Sequence, residues 1–468
     1  MASDAGEIKL DPVNPRTENG RQFLDTVSRM AQADLRDLHR YAGMLAHKAT
    51  LESISRVGSG AVVVLGEAIS LPEHTASYAC ILYTAEPILH RQGHTALFVR
   101  FALSLFSEGD RRQLRAVPAF VASIARALGQ HARSLGAASA AMRAITRAAE
   151  ATAPNPHCLT ACHAVAAMLG CDGKHYREVC AMADSDIFEV LPAASGCQVE
   201  DVLCFYYYAG VAYAALKKWS KATDSFSMVL VTPSAALSAV AMAAERWRIL
   251  CSLMAAGKPP SMPVAASQGM ARSLADDVRP FTRIAEAFVT LNPTALAEAL
   301  KAEEEALAAS SLTGLAAQLH RAQQARVILG LTSTFVTITT AEIAEKLGLG
   351  SAADAEALVF DLVRAGTLRA SIDQERGVVS FLDDDATADP AMLVKRVESL
   401  VGAAAALADA IATRERDVVL SPDCVKHATM RARGRVSAEA GRSGAMAAAA
   451  GGADADVAEA MRRSTLDM

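Results

Sequence analysis

The stretch from Leu312 to Leu382 constrains the chain most, because it holds five differently patterned segments in a fixed order. Apolar residues at Leu315, Leu319, Ala322, Ala325, Val327, Ile328 and Leu331 recur at roughly the helical period and predict a first helix. Phe335, Val336 and Ile338, set among β-branched threonines, predict a short strand. Thr339, followed three positions later by Glu342, has the form of a capping box, in which each side chain satisfies the other residue's backbone N–H. A second helix should open there, with Ile343, Ala344 and Leu347 on its apolar side and Gly348 and Gly350 to stop it. Ser351 and Asp354 repeat the box for a third helix, on which Ala355, Leu358, Val359, Leu362 and Val363 share one face. Leu368, Ala370 and Ile372 then alternate, Asp373 to Gly377 turns, and Val379 and Phe381 alternate back. Helix, strand, helix, helix and hairpin in that order make a winged helix, with the hairpin as its wing.

Winged helices often bind DNA, so the charges on the third helix decide the next step. Affinity for nucleic acid comes mostly from Lys and Arg neutralising phosphates. This helix carries Asp354, Glu356 and Asp361 against the single Arg364, and the wing turn adds Asp373, Glu375 and Arg376. Over the whole chain, 46 basic residues face 51 acidic ones, a formal net charge of −5. Both counts disfavour nucleic acid and favour protein packing. A plain folding unit without a partner is the other reading of the module.

Upstream of it, 468 alanine-rich residues read as helix after helix, an α-solenoid from 21 to 311 behind a flexible leader at 1–20. Phe23, Leu24, Val27, Met30, Leu35, Leu38, Tyr41 and Leu45 trace the first two helices. Thr95 to Phe106 and Gln113 to Leu128 predict two more, separated at Gly109 and Asp110. The clearest repeat lies between Asp201 and Pro233, where Tyr206, Ala209, Gly210, Tyr213, Ala222, Phe226 and Pro233 nearly reproduce the tetratricopeptide pattern. Small Gly210 and Ala222 belong where paired helices approach most closely, Tyr213 and Phe226 fill the space between repeats, and Pro233 ends the second helix. Leu159 to Asp184 is a degenerate unit before it, and Ala235 to Ala255 the first helix of one after it. Such an array serves either as a core without a ligand groove or as a peptide-binding concave face.

The residues that could carry chemistry do not form a site. Cys158, Cys162, His163, Cys171 and Cys180 lie in one stretch, and Cys158 with Cys162 would share a helix face, but the tight paired turns of a structural zinc site are missing. His90 and His94 have the spacing of a zinc-protease helix, yet Arg91 stands where the catalytic Glu belongs. No phosphate loop, dinucleotide fingerprint or nucleophile elbow occurs. We therefore expect no catalytic residue, no metal site and no cofactor. Glu303, Glu304 and Glu305 read as a solvated helix face. The uncharged run from Ser225 to Ala244, with Pro233 near its middle, reads as two helices meeting at a turn and not as a membrane span. Nine irregularly spaced cysteines point to a reducing compartment, cytoplasm and nucleus.

After the wing, Asp389 caps a further helix predicted over 389–415, with Pro390 in its first turn. Leu393, Val397, Leu400, Ala404, Leu407 and Ile411 follow at heptad spacing, a seam suited to a helical bundle. Folding back on the winged helix is the alternative. The Ala-, Gly- and Ser-rich segment 431–468 is expected to be disordered.

A helical-repeat array leading into a winged helix and then one long terminal helix resembles the PCI-domain proteins, scaffold subunits shared by the proteasome lid, the COP9 signalosome and translation initiation factor 3. The runs Phe205-Tyr206-Tyr207-Tyr208-Ala209-Gly210, Gly366-Thr367-Leu368-Arg369-Ala370-Ser371-Ile372-Asp373 and Gly377-Val378-Val379-Ser380-Phe381, with Asn292-Pro293 between them, are similar to a signalosome member of that family. So is Ser421-Pro422 followed by Val425. The resemblance spans about Leu159 to Met430. It implies a non-catalytic scaffold in the complex that removes a ubiquitin-like modifier from cullins and so regulates cullin-RING ligases. The catalytic subunit of that complex carries a His-x-His motif, which this chain lacks. The implied partners are other PCI subunits, met through the bundle helix (Leu393, Val397, Leu400, Ala404, Leu407, Ile411) and through the wing edge (Val379, Phe381), and cullin-RING ligases through the complex. The residues themselves leave the proteasome lid and the initiation factor open as alternatives, with a nucleic-acid-binding winged helix behind them.

Overall fold

The computed structural model describes residues 71–429, apart from 92, 186, 188, 234–237, 267, 383–389, 423 and 427–428. The predicted leader, the first two predicted helices, the Asp389 cap and the 431–468 tail lie outside the described residues.

The described chain opens on α1 (Thr75–Arg91) and α2 (Thr95–Glu108). The expected Gln113 to Leu128 helix is divided into α3 (Arg111–Ala116) and α4 (Pro118–Ser134). Pro118 is the reason: it has no N–H to donate into the preceding turn, so it begins a helix instead of continuing one. Asp110 caps α3, its carboxylate accepting the Gln113 N–H at 3.0 Å. Next come α5 (Ala138–Thr152), β1 (Cys158–Leu159), α6 (Ala161–Asp172), α7 (Tyr176–Ala183) and β2 (Glu189–Val190), with β1 and β2 parallel and Cys158 opposite Glu189. The short α8 (Pro192–Ser195) leads to the repeat read most clearly from sequence, α9 (Val199–Ala215) and α10 (Trp219–Val231). Gly210 of α9 faces the Phe226 ring of α10, and a Cβ there would lie 2.6 Å from the ring. Only glycine lets these two helices close to that distance.

The array continues through α11 (Ala239–Ala256), α12 (Gln268–Leu274), α13 (Arg279–Val289), α14 (Pro293–Ala302) and α15 (Glu304–Ala309). Its core is one continuous cluster from Ala76 to Leu319, rich in alanine and stiffened by Phe98, Phe226, Phe281 and Phe288, all 1% exposed or less. Within it Arg248 is 2% exposed, and it is tolerated because Glu245 takes two of its N–H groups at 2.6 and 2.8 Å and the Ser261 carbonyl a third at 3.0 Å. The acidic run differs from expectation at its first member: Glu303 sits at the junction of α14 and α15, its side chain only 14% exposed, and accepts from Arg283 at 2.9 Å.

The winged helix follows as read: α16 (Thr313–Thr332), β3 (Thr337–Thr339), α17 (Thr340–Leu347), α18 (Ala352–Arg364), β4 (Ala370–Asp373) and β5 (Val378–Phe381). Thr339 and Glu342 form the full capping box, with 3.2 Å and 3.1 Å bonds in the two directions. The second box is half made. Ser351 Oγ accepts from the Asp354 N–H at 3.2 Å, while the Asp354 carboxylate takes the Ser351 hydroxyl at 2.8 Å. Gly348 stops α17 at φ +63°. The strand near Phe335 starts later than expected, at Thr337, and Val336 is 78% exposed.

α16 also belongs to the array. Gln323 donates to the Phe288 carbonyl at 3.0 Å, and Arg326 to the Ala255 carbonyl at 2.9 Å. Accordingly the chain through Ser380 is one compact unit, and a second begins at Phe381. In the second lies α19 (Pro390–Val419), four residues longer at its C-terminal end than the predicted 415.

Candidate assembly surfaces

α19 runs for 30 residues without an interior proline, and all its described side chains from Met392 to Val419 are exposed. The predicted seam is fully in view: Leu393 is 44% exposed, Val397 58%, Leu400 63%, Leu407 62% and Ile411 57%, with Ala404 exposed between them. Val394 and Val401, 57% and 62% exposed, widen the stripe beyond the six residues expected. So much open apolar surface on one helix marks a contact surface, since isolated soluble chains rarely carry it.

The wing requires a correction. Val379 and Phe381 were expected at an open edge, but the sheet order is β3-β5-β4, which puts their strand in the middle. β5 pairs antiparallel with β3, Ile338 opposite Val379, and β4 flanks it on the other side. Val379 is wholly buried and Phe381 is 9% exposed. A hairpin seen in sequence shows only its own two strands. The third, arriving from before α17, covers the side of β5 that would otherwise be open, and the outer edges belong to β3 and β4.

On α18 the single carboxylate Asp361 is held between two guanidiniums, Arg321 from α16 and Arg364, the latter at 3.3 Å. At α17, Thr339 donates backbone and hydroxyl hydrogens to Glu342 and holds its carboxyl below the usual range.

The residues weighed for chemistry are dispersed. Cys158 lies on β1 and Cys162 on α6, so the two do not share a helix face as the spacing suggested. Burial pushes the thiols of Cys162, Cys171 and Cys197 up to about 12, far from the thiolate a nucleophile or metal ligand needs. His90 ends α1 while His94 caps α2, which breaks the helical i, i+4 relation. Among the described residues no group of three or more His, Cys, Asp or Glu could hold a metal ion. No described helix is long and apolar enough to cross a membrane.

Sequence reasoning missed two buried polar devices. His163 completes a capping box for α6, its Nδ1 accepting from the Thr160 backbone N–H at 3.1 Å, and burial lowers its pKa to about 4. The Thr160-x-x-His163 spacing was visible, but Glu or Gln normally fills that role. The Glu245–Arg248 pair was visible as an i, i+3 spacing; nothing local told that it is buried.

A repeat array running without interruption into a winged helix defines the PCI class, and the chain matches the PCI domain over residues 286–383. Residues 43–270 match the family described as "COP9 signalosome complex subunit 3, N-terminal helical repeats". A COP9 signalosome complex subunit 3 from Dictyostelium discoideum is 29% identical over 208 residues, which cover 44% of this chain and 50% of the relative. One from Drosophila melanogaster is 25% identical over 302 residues, 61% of this chain and 68% of the relative. The chain thus aligns with half the length of the first relative and about two thirds of the second. It belongs to the PCI-domain proteins, in the family of COP9 signalosome subunit 3.

Proposed function

We propose that this chain is a scaffold subunit of a COP9 signalosome, without catalytic activity of its own. The observation that carries the reading is α19, a 30-residue helix whose heptad seam is open along its whole described length. A helix of that kind gains its stability by packing against helices of other subunits. The second contact is the wing sheet, whose unpaired edges are the outer sides of β3 and β4, where a neighbouring PCI sheet can add a strand. Through the complex the chain contributes to removal of a ubiquitin-like modifier from cullins and meets cullin-RING ligases, in the cytoplasm and nucleus. The scaffold reading draws further support from buried, protonated thiols and from the acidic face of α18, which suits neither hydrolysis nor nucleic acid.

The test is purification of the tagged full chain from its own cells at physiological salt, followed by identification of stoichiometric companions. Signalosome subunits are expected. Proteasome-lid or initiation-factor subunits in their place would move the chain to another PCI complex. Purified alone, it should not cleave a modified cullin above background, and measurable cleavage would overturn the scaffold reading.

A further inference from the structure

Where the array meets the winged helix, a groove of about 760 Å³ opens between the α9–α10 turn and the helices α16 and α18. Its apolar walls are Trp219 and Met254 from the array, Ala322 and Ala325 from α16, and Leu358 and Leu362 from α18. Trp219, Met254 and Leu362 are half-buried, so apolar surface remains available in the groove. The alanines of α16 keep the opposite wall low, leaving room for an inserted side chain.

The rim is cationic. Lys217, held in the left-handed region at φ +58°, stands at the α9–α10 turn, with Arg321 and Arg364 at the far side. Three cations line this groove against one carboxylate, Asp361, which both arginines share. A guanidinium has five N–H donors in a fixed fork, so a shared carboxylate leaves most of them unused. The Arg321 and Arg364 side chains are 65% and 75% exposed, so those donors stand at the mouth of the groove. A tryptophan and a methionine beneath arginines is also the composition of energetically dominant protein contacts.

We infer that this groove docks a peptide segment of another protein that presents one large apolar side chain flanked by carboxylates. The apolar anchor would enter between Trp219 and Leu362, while its flanking Asp or Glu residues take the unused N–H groups of Arg321 and Arg364. Basic segments are rejected by the three cations, and a purely apolar segment would leave the rim unanswered. The inference does not depend on the signalosome reading, because the groove lies within one compact unit and away from α19.

The probe is a library of random peptides displayed on phage and selected on the full chain. Enriched sequences should carry a Leu, Phe or Trp beside at least two acidic residues. A synthetic copy should bind in fluorescence anisotropy and slow hydrogen exchange in 317–325 and 358–365. Arg364→Glu should weaken it by about tenfold or more, and exchanging the peptide's acidic residues for Lys should restore binding to that variant. Ala322→Trp, which fills the groove, should abolish binding. Enrichment of neutral or basic sequences, no enrichment at all, or protection elsewhere on the chain would overturn the inference, the last without recourse to variants. So would equal competition by single-stranded DNA, which would reduce the site to a general anion contact.

Discussion

Replacing Leu400 and Leu407 together by Glu puts two carboxylates one heptad apart on α19. In the free chain these side chains are 63% and 62% exposed, so the fold has little to lose. Substitutions at such positions usually change stability by about 0.5 kcal/mol or less. In a bundle both leucines would be covered. A fully buried leucine contributes about 1.5 to 3 kcal/mol, and with some three fifths of the surface still to be covered each would add about 1 to 2 kcal/mol. Two lost anchors therefore remove about 2 to 4 kcal/mol, roughly 30- to 700-fold in affinity, before the cost of burying two unpaired carboxylates. Stoichiometric recovery of partner subunits on the tagged chain reads the first effect, and thermal denaturation of the isolated chain reads the second. The expected result is lost assembly at an unchanged thermal midpoint. Assembly at the wild-type level would show that the seam is not an interface, and a clear fall in the midpoint would show that it belongs to an internal core.

Because β5 is the central strand, Val379→Pro should unfold the whole wing rather than trim an edge, seen as fast hydrogen exchange in 337–339 and 378–381 while α9 and α10 stay protected. Gly210→Ala forces a Cβ to within 2.6 Å of the Phe226 ring and should destabilise the chain by about 1 to 3 kcal/mol in urea denaturation, despite alanine's better helix propensity. Arg248→Ala leaves Glu245 buried without its partner and should cost about 3 to 5 kcal/mol, whereas replacing both by methionine and leucine should cost far less. His163 titrates at about 4 in the fold against roughly 6.5 when unfolded, so its contribution is complete above pH 6.5 and is lost as pH falls toward 4, at most roughly 3 kcal/mol. His163→Gln keeps an acceptor for the Thr160 N–H and should flatten that part of the stability profile; an unchanged slope would assign the pH dependence to another group.

The sequence by itself determined the parts whose cause lies within a few residues. Thr339 and Glu342 meet because they are three positions apart, Gly348 ends α17 because its φ is +63°, and Gly210 pairs with Phe226 in a repeat whose spacing sets the helix hairpin. The heptad of α19 was legible for the same reason, as periodicity along one helix. Tertiary structure alone decided what depends on segments distant in the chain. β5 became central because β3, some forty residues earlier, pairs along its other side. Arg248 and Glu245 became a core pair because neighbouring helices closed over α11, although the same spacing on a surface would be unremarkable. Cys158 left the helix for β1 because Glu189 supplied it with a strand partner. The cationic groove drew Lys217, Arg321 and Arg364 together from an array turn and two helices of the winged helix. Backbone preference and side-chain period act between near neighbours, while sheet order, burial and grooves follow from which surfaces the folded chain brings face to face.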